Sequence, residues 1–343
     1  MRIKGRYVRA FLLFGALMGP LSATPVWAQT TIKLGHTDNP QPFDSPSQAM
    51  AVVFKDVLER ETGGQIKVNI FPSSQLGNER ETTEGVKLGS IEAQITSEGG
   101  VVNFFPPMEV LGIPYVYPSI EVAYRVMDGP FGREFKEAML KDNGIRIIGT
   151  AAPGPLRNFG ANRPLRKLED LKGLRIRTME HPVHQAMVKA LGASPTPIPF
   201  GELYSAVKSG VVDGLELPYQ AMLNMKLDEV IKYVIVDGHV FNQLFFLLND
   251  KWFRSLSPGN QRAVLKAGEL AQVTARSVVR IWEAAGANEL QAKGVQLYFP
   301  TQKELQVFKE RAQPPVIALL RQRVDKKWLD GILKAVEEAS RER

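Results

Sequence analysis

The stretch LRIRTMEHPVHQAMVKALGASPTPIPFGELYSAVKSGVVDGLEL, Leu174 to Leu217, decides the fold. Leu174–Thr178 alternates apolar and polar residues and is predicted as a strand. Pro182–Leu191 is predicted as a helix stopped by Gly192. Pro195, Pro197 and Pro199 then impose an extended, rigid path that holds Phe200 in place. A short helix, Glu202–Ser209, leads into a second strand, Val211–Leu217.

The same rhythm runs outward in both directions. Upstream, residues 31–36, 65–71, 91–96 and 145–152 are predicted strands. Between them lie predicted helices: one opened by Ser45-Pro46 and stopped by Gly63-Gly64, one over 79–88 and one over 121–140. Downstream, Val240–Leu248 is a strongly apolar strand with Asn242 and Gln243 set in it. Ser257-Pro258 opens a long helix over 261–293, with apolar residues Val264, Leu265, Val273, Val278, Ile281, Trp282 and Ala285, closed by Gly294. A strand over 295–299 follows, and Thr301 with Glu304 forms a capping box for a further helix. Repeated strand–helix units point to the α/β class, with parallel or mixed sheets covered by helices. Such folds bind ligands at the carboxyl ends of strands and in clefts between domains. The chain of 343 residues suits two domains. No low-complexity linker separates them, so the chain is expected to cross between them more than once.

The N-terminus reads as a secretory signal. Arg2, Lys4, Arg6 and Arg9 precede the apolar run Ala10–Met18, and Val26-Trp27-Ala28 places small residues for cleavage after Ala28. Removing residues 1–28 takes away four basic residues and no acidic ones, so the formal net charge falls from +7 to +3 (39 basic against 36 acidic). That mild balance suits an anionic small ligand. No concentrated basic patch of the kind nucleic acid requires is found. The absence of cysteine excludes disulfides, thiolate metal sites, thiol nucleophiles and a cysteine-linked lipid anchor.

Arg157 sits in PLRNFG, and Arg175 and Arg177 lie in LKGLRIRT. Arg175 and Arg177 share one face of a strand. They read either as two solvated charges or with the one nearest the strand end turned into a cleft. Arginine suits the second role because its planar fork binds a carboxylate bidentately and stays charged. Glu98 reads equally as a surface carboxylate and as a group that recognises a ligand hydroxyl or amine. His36 ends the first strand, where a cleft residue or a core residue can lie. His181 and His184 have the i,i+3 spacing of a metal pair. Pro182 at the first helical position argues that they do not face one another, and a helix-terminus or surface role is favoured. No metal site, cofactor motif, nucleotide-binding loop or nucleophile–base constellation is expected.

Taken together, the motifs resemble the solute-binding subunits of tripartite ATP-independent periplasmic (TRAP) transporters, the DctP-type family. FPSSQLGNERE (71–81), EVLGIPYVY (109–117), LEDLKGLRIRT (168–178) and LGASPTPIPFGELYSAVKSGVVDGLE (191–216) carry the resemblance, which extends over essentially the whole chain after residue 28. It implies two α/β lobes with mixed sheets, a hinge and a long helix spanning both. One lobe would hold residues 29–153 plus 243–282 and the other 154–242 plus 283–343. It implies that Arg177 binds the ligand's carboxylate, that Arg157 assists, that Phe200 packs on the ligand and that Glu79 sits at the cleft. Gln243 joins these as a candidate. Family members often carry Asn before the Pro of the VDG-x-x-x-P stretch. Here that residue is Leu217, which removes a polar partner and favours a less polar acid.

The function so implied is capture of a small organic acid and its delivery to membrane permease subunits, by a periplasmic, cofactor-free, monomeric carrier that is not an enzyme. A binding protein of an ATP-driven importer would share the lobes but lack the LKGLRIRT and alternate-proline stretches. An exported enzyme acting on a carboxylate would need a catalytic constellation. A sensory role is compatible with capture.

Overall fold

The computed structural model describes residues 30–341; the expected signal segment, residues 1–28, lies outside them. The first sheet has the order β2-β1-β3-β10-β4. Its strands are β1 (Thr30–Gly35), β2 (Ile66–Phe71), β3 (Ala93–Ser97), β4 (Ile145–Ala151) and, from much later in the chain, β10 (Leu244–Asn249). Its connections carry α1 (Pro46–Glu61), α2 (Glu79–Leu88), the single turn α3 (Glu98–Val101), α4 (Ile120–Asp128) and α5 (Pro130–Asn143). The expected helix over 121–140 is broken at Gly129-Pro130. Proline has no N–H to continue α4, and it opens α5 instead.

The second sheet has the order β11-β9-β5-β8-β6-β7. It is built from β5 (Arg157–Ala161), β6 (Arg175–Thr178), β7 (Ser194–Pro197), β8 (Gly214–Leu217), β9 (Tyr233–Val240) and β11 (Gln296–Tyr298), with α6 (Pro182–Ala190), α7 (Leu203–Lys208) and α8 (Tyr219–Asn224) between them. The alternate prolines form β7, which pairs in parallel with β6 alone, Arg177 opposite Thr196. Proline is tolerated there because an edge strand needs no donor on its outer side.

The apolar run 240–248 is not one strand. β9 ends at Val240 in the second sheet, and β10 begins at Leu244 in the first. Phe241-Asn242-Gln243 is the crossing, where the two amides, themselves buried, break the apolar run between two buried strands. After α9 (Asp250–Ser255) comes α10 (Pro258–Ala292), 35 residues or about 52 Å long. It lies on α1 and β4 of the first lobe and reaches α8 and β11 of the second. Gly268 lets it approach closely: a Cβ there would stand 2.8 Å from the Ile148 carbonyl. Leu265, Val273 and Ile281, expected on its apolar face, are exposed instead, and small residues such as Ala263, Ala267 and Ala271 fill the buried stripe. α11 (Gln302–Arg323) packs on α6, and α12 (Lys326–Arg341) packs back on α4 and α5. Trp328 of α12 meets Phe131 and Phe135 edge-on, with centroids 6.0 and 5.7 Å away. Among the described residues no helix is long and apolar enough to cross a membrane.

Candidate ligand-binding cleft

The carboxyl ends of strands from both sheets face one another across a cleft with about 510 Å³ of atom-free space, its opening included. The first lobe contributes Thr37 and Asp38 after β1 and Ile95–Ser97 at the end of β3. The second contributes Arg157 at the start of β5, Arg177 and Met179 from β6 and beyond, Phe200, and Leu217 at the end of β8. Asn242 from the crossing completes the wall.

Arg177 is 2% exposed. Its Nε donates to the carbonyl of Ile198 at 2.8 Å, so the proline-stiffened segment after β7 fixes the guanidinium. Burial, with Arg157 beside it, lowers its pKa to about 10. Arg177 has no ion-pair partner among the described residues. Arg157, equally buried, is held differently. Its Nε donates to Glu216 Oε2 and its Nη2 to the Glu216 carbonyl. Burial pushes the Glu216 carboxyl up, but Arg157 and the histidines around it outweigh that and hold it well below the usual range. Glu216 Oε2 lies 3.4 Å from His239 Nε2. His239 Nδ1 lies 2.9 Å from Asp237 Oδ2, which accepts from the Tyr115 hydroxyl at 2.7 Å. His239 loses basicity to burial, yet Asp237 and Glu216 raise its pKa overall. The ring of Phe159 stacks on it at 4.2 Å. The second arginine is thus braced by a buried charged network, whereas the first is not.

Glu79 is tethered at the cleft. Its Oε1 accepts from Ser97 N at 2.9 Å and from Thr96 Oγ1 at 3.2 Å, which ties the start of α2 to the end of β3. Phe200 and Leu217 line the cleft directly. Three candidates do not. His36 is buried, with Nε2 2.7 Å from Gln48 Oε1. Glu98 and Gln243 are both wholly buried, and Glu98 Oε1 accepts from Gln243 N. Adjacent residues of an extended chain point to opposite sides, so Thr37, Ser97, Asn242 and Leu244 face the cleft while His36, Glu98 and Gln243 face away. Burial pushes the Glu98 carboxyl up to about 8, against the Gln243 N–H and Arg157. Arg175 is a solvated charge paired with Asp213, Nη2 to Oδ1 at 2.6 Å. The histidine pair is not on the surface: His181 caps α6 and both rings are fully buried. Sequence reading missed Thr37, Asp38, Ser47 and Asn242, which carry no motif and reach the cleft only through the fold.

The model of a bacterial extracellular solute-binding protein family, family 7 (DctP), matches residues 39–322. The chain belongs to this family, the solute-binding subunits of TRAP transporters. A solute-binding protein of Verminephrobacter eiseniae is 34% identical over 269 residues, covering 78% of this chain and 79% of that protein. The sugar acid binding protein of Advenella mimigardefordensis, in complex with galactonate, superposes with a TM-score of 0.86 at 26% identity, over 91% of this chain and 99% of its own. A TRAP periplasmic solute-binding protein from Polaromonas sp. JS666, bound to D-erythronate, gives 0.82 at 31% identity, over 90% and 98%. The lobes, the mixed sheets and the long shared helix of this DctP-family chain are those of its solved relatives.

Proposed function

We propose that the cleft captures a small organic acid whose carboxylate is gripped by Arg177, with Arg157 alongside, and that the loaded protein delivers it to membrane permease subunits. One observation carries this reading. Arg177 is a buried cation with no carboxylate at ion-pair distance among the described residues, although such a charge is costly unless paired. A ligand carboxylate supplies the pair. Phe200 packs on the body of the acid, and Glu79 stands at its polar end. Leu217 gives the wall an apolar face, so the acid is less hydroxylated than the galactonate and D-erythronate held by the two relatives. The protein works as a monomeric carrier without a cofactor and catalyses no reaction. It is exported to the periplasm, and the segment ending at Ala28 is cleaved. The lobes comprise residues 29–153 plus 243–282 and 154–242 plus 283–343, with α12 seated against the first.

The test is a thermal-shift panel of organic acids on the mature protein, sugar acids set beside unhydroxylated monocarboxylates and dicarboxylates. A ligand that binds only the folded state raises the melting temperature by mass action. Stabilisation by one unhydroxylated acid is expected. A panel in which only neutral or cationic solutes stabilise would overturn the proposal.

A further inference from the structure

Behind the cleft, two fully buried groups from opposite lobes face one another. Glu98 opens α3 at the end of β3, and His181 caps α6 after β6. Glu98 Oε2 stands 3.5 Å from His181 Nε2, and neither atom has a hydrogen-bond partner. The lobes are in contact here: a Cβ on Gly99 would lie 2.8 Å from the sulfur of Met179. We propose that Glu98 and His181 form a latch between the lobes, His181 Nε2–H donating to Glu98 Oε2, and that Glu98 is thereby a positioning residue for closure.

The tautomer follows from the helix cap. Val183 N–H donates to His181 Nδ1 at 3.3 Å, so Nδ1 offers its lone pair and the ring proton sits on Nε2. The unpartnered Glu98 Oε2 stands 3.5 Å from that nitrogen. At 3.5 Å the pair is slack, and a further approach of about 0.6 Å makes a hydrogen bond of ordinary length. Open lobes return both groups to water, so the bond exists only in the closed form. Glu98, His181 and His184 also have donor atoms within 4.8 Å of one another, as a metal site would. A metal on His181 needs the Nε2 lone pair, and the Val183 cap has committed that nitrogen to its proton. Arg157 further disfavours a cation there, acting on Glu98 and on both histidines.

The charged and titratable groups around the latch are His184 on α6, Glu216 on β8, Arg157 on β5, Arg323 on α11 and Tyr117 ahead of α4. Glu98 is the one that changes state near neutrality. Buried in the closed form, it keeps a proton up to about pH 8. In open lobes it meets water and loses that proton in the ordinary carboxylate range, so closing takes up a proton and the closed form weakens as pH rises towards and through 8.

The test needs no ligand. The sequence has no cysteine, so L88C in the first lobe and V211C in the second, both exposed, take a fluorophore pair that reports lobe separation. The closed fraction is measured in EDTA for the tag-free mature protein, for E98Q, for H181N and for the double variant. Asparagine keeps the helix cap but removes Nε2–H. Each single variant is expected to lower the closed fraction several-fold, and the double variant no further. Wild type closes less as pH rises from about 6 to about 9, and E98Q is flat. An unchanged closed fraction or additive losses would overturn the latch. So would closure by one equivalent of zinc chloride that E98Q abolishes, since the cluster would then be a metal site. Acid capture by Arg177 is untouched by any of these outcomes.

Discussion

Two arginine–carboxylate pairs lie on the second sheet, and burial alone separates their roles. Arg175 and Asp213, at the outer end of β6, have side chains 49% and 33% exposed. Arg157 and Glu216, at the cleft, are 3% and 0% exposed. In water the outer pair gains little, because solvent screens the attraction and two long side chains lose freedom. In the interior neither partner of the inner pair is tolerable without the other. Arg177 lies two residues along the same strand face from Arg175, yet it is buried and has no ion-pair partner among the described residues. The strand thus carries one arginine that is paired in the protein and one that the proposed function pairs with the acid.

The largest expected effect comes from breaking the inner pair. Glu216→Ala strands Arg157 in the interior and is expected to cost about 3–5 kcal/mol of folding stability in denaturant titrations. Arg177→Ala sharpens the contrast. It is expected to lose about 2–5 kcal/mol of acid affinity, while the ligand-free protein melts no lower than wild type because an unpaired buried charge has been removed. Leu217→Asn restores an amide beside the carboxylate and is expected to shift preference towards hydroxylated acids by about tenfold, or about 1.4 kcal/mol. This is read as the ratio of dissociation constants for galactonate and its deoxygenated analogue.

Acidification should distinguish the two pairs again. Glu216 has a folded pKa well below its ordinary value. Its stabilisation is therefore complete above the unfolded carboxylate range and is lost as pH falls below about 4.5. Asp213 is lowered too, by its hydrogen bonds from Arg175, but it is partly solvated. Asp213→Asn should leave the acid limb of the stability profile in place and cost under about 1 kcal/mol at neutral pH.

Much of this was legible in the sequence. The strand–helix rhythm, the caps at Ser45 and Ser257 and the proline-stiffened path before Phe200 all appear in the structure. So does the placement of Arg157, Arg177, Glu79, Phe200 and Leu217 at the cleft. What was not legible depends on contacts between distant segments. Arg175 and Arg177 share one period-2 face, and only the sheet's edge and the opposing lobe decide which is buried. The crossing at 241–243 is marked only by Asn242 and Gln243, and two amides in an otherwise apolar run also read as buried polar positions of a single strand. Glu98 meets His181 only because two lobes close, and no local pattern encodes that meeting. His239 and Asp237 show a plain i,i+2 alternation, but their link to Glu216 needs the antiparallel pairing of β5 with both β8 and β9.

The most direct test of the central claim is calorimetric titration of wild type, Arg177→Ala and Arg175→Ala with the acid that gives the largest thermal shift. The two variants remove the same charge from the same strand face. If Arg177 is the carboxylate's partner, its loss weakens binding by about a hundredfold or more while Arg175→Ala binds as wild type does. Equal binding by Arg177→Ala and wild type, or equal losses in both variants, would contradict it.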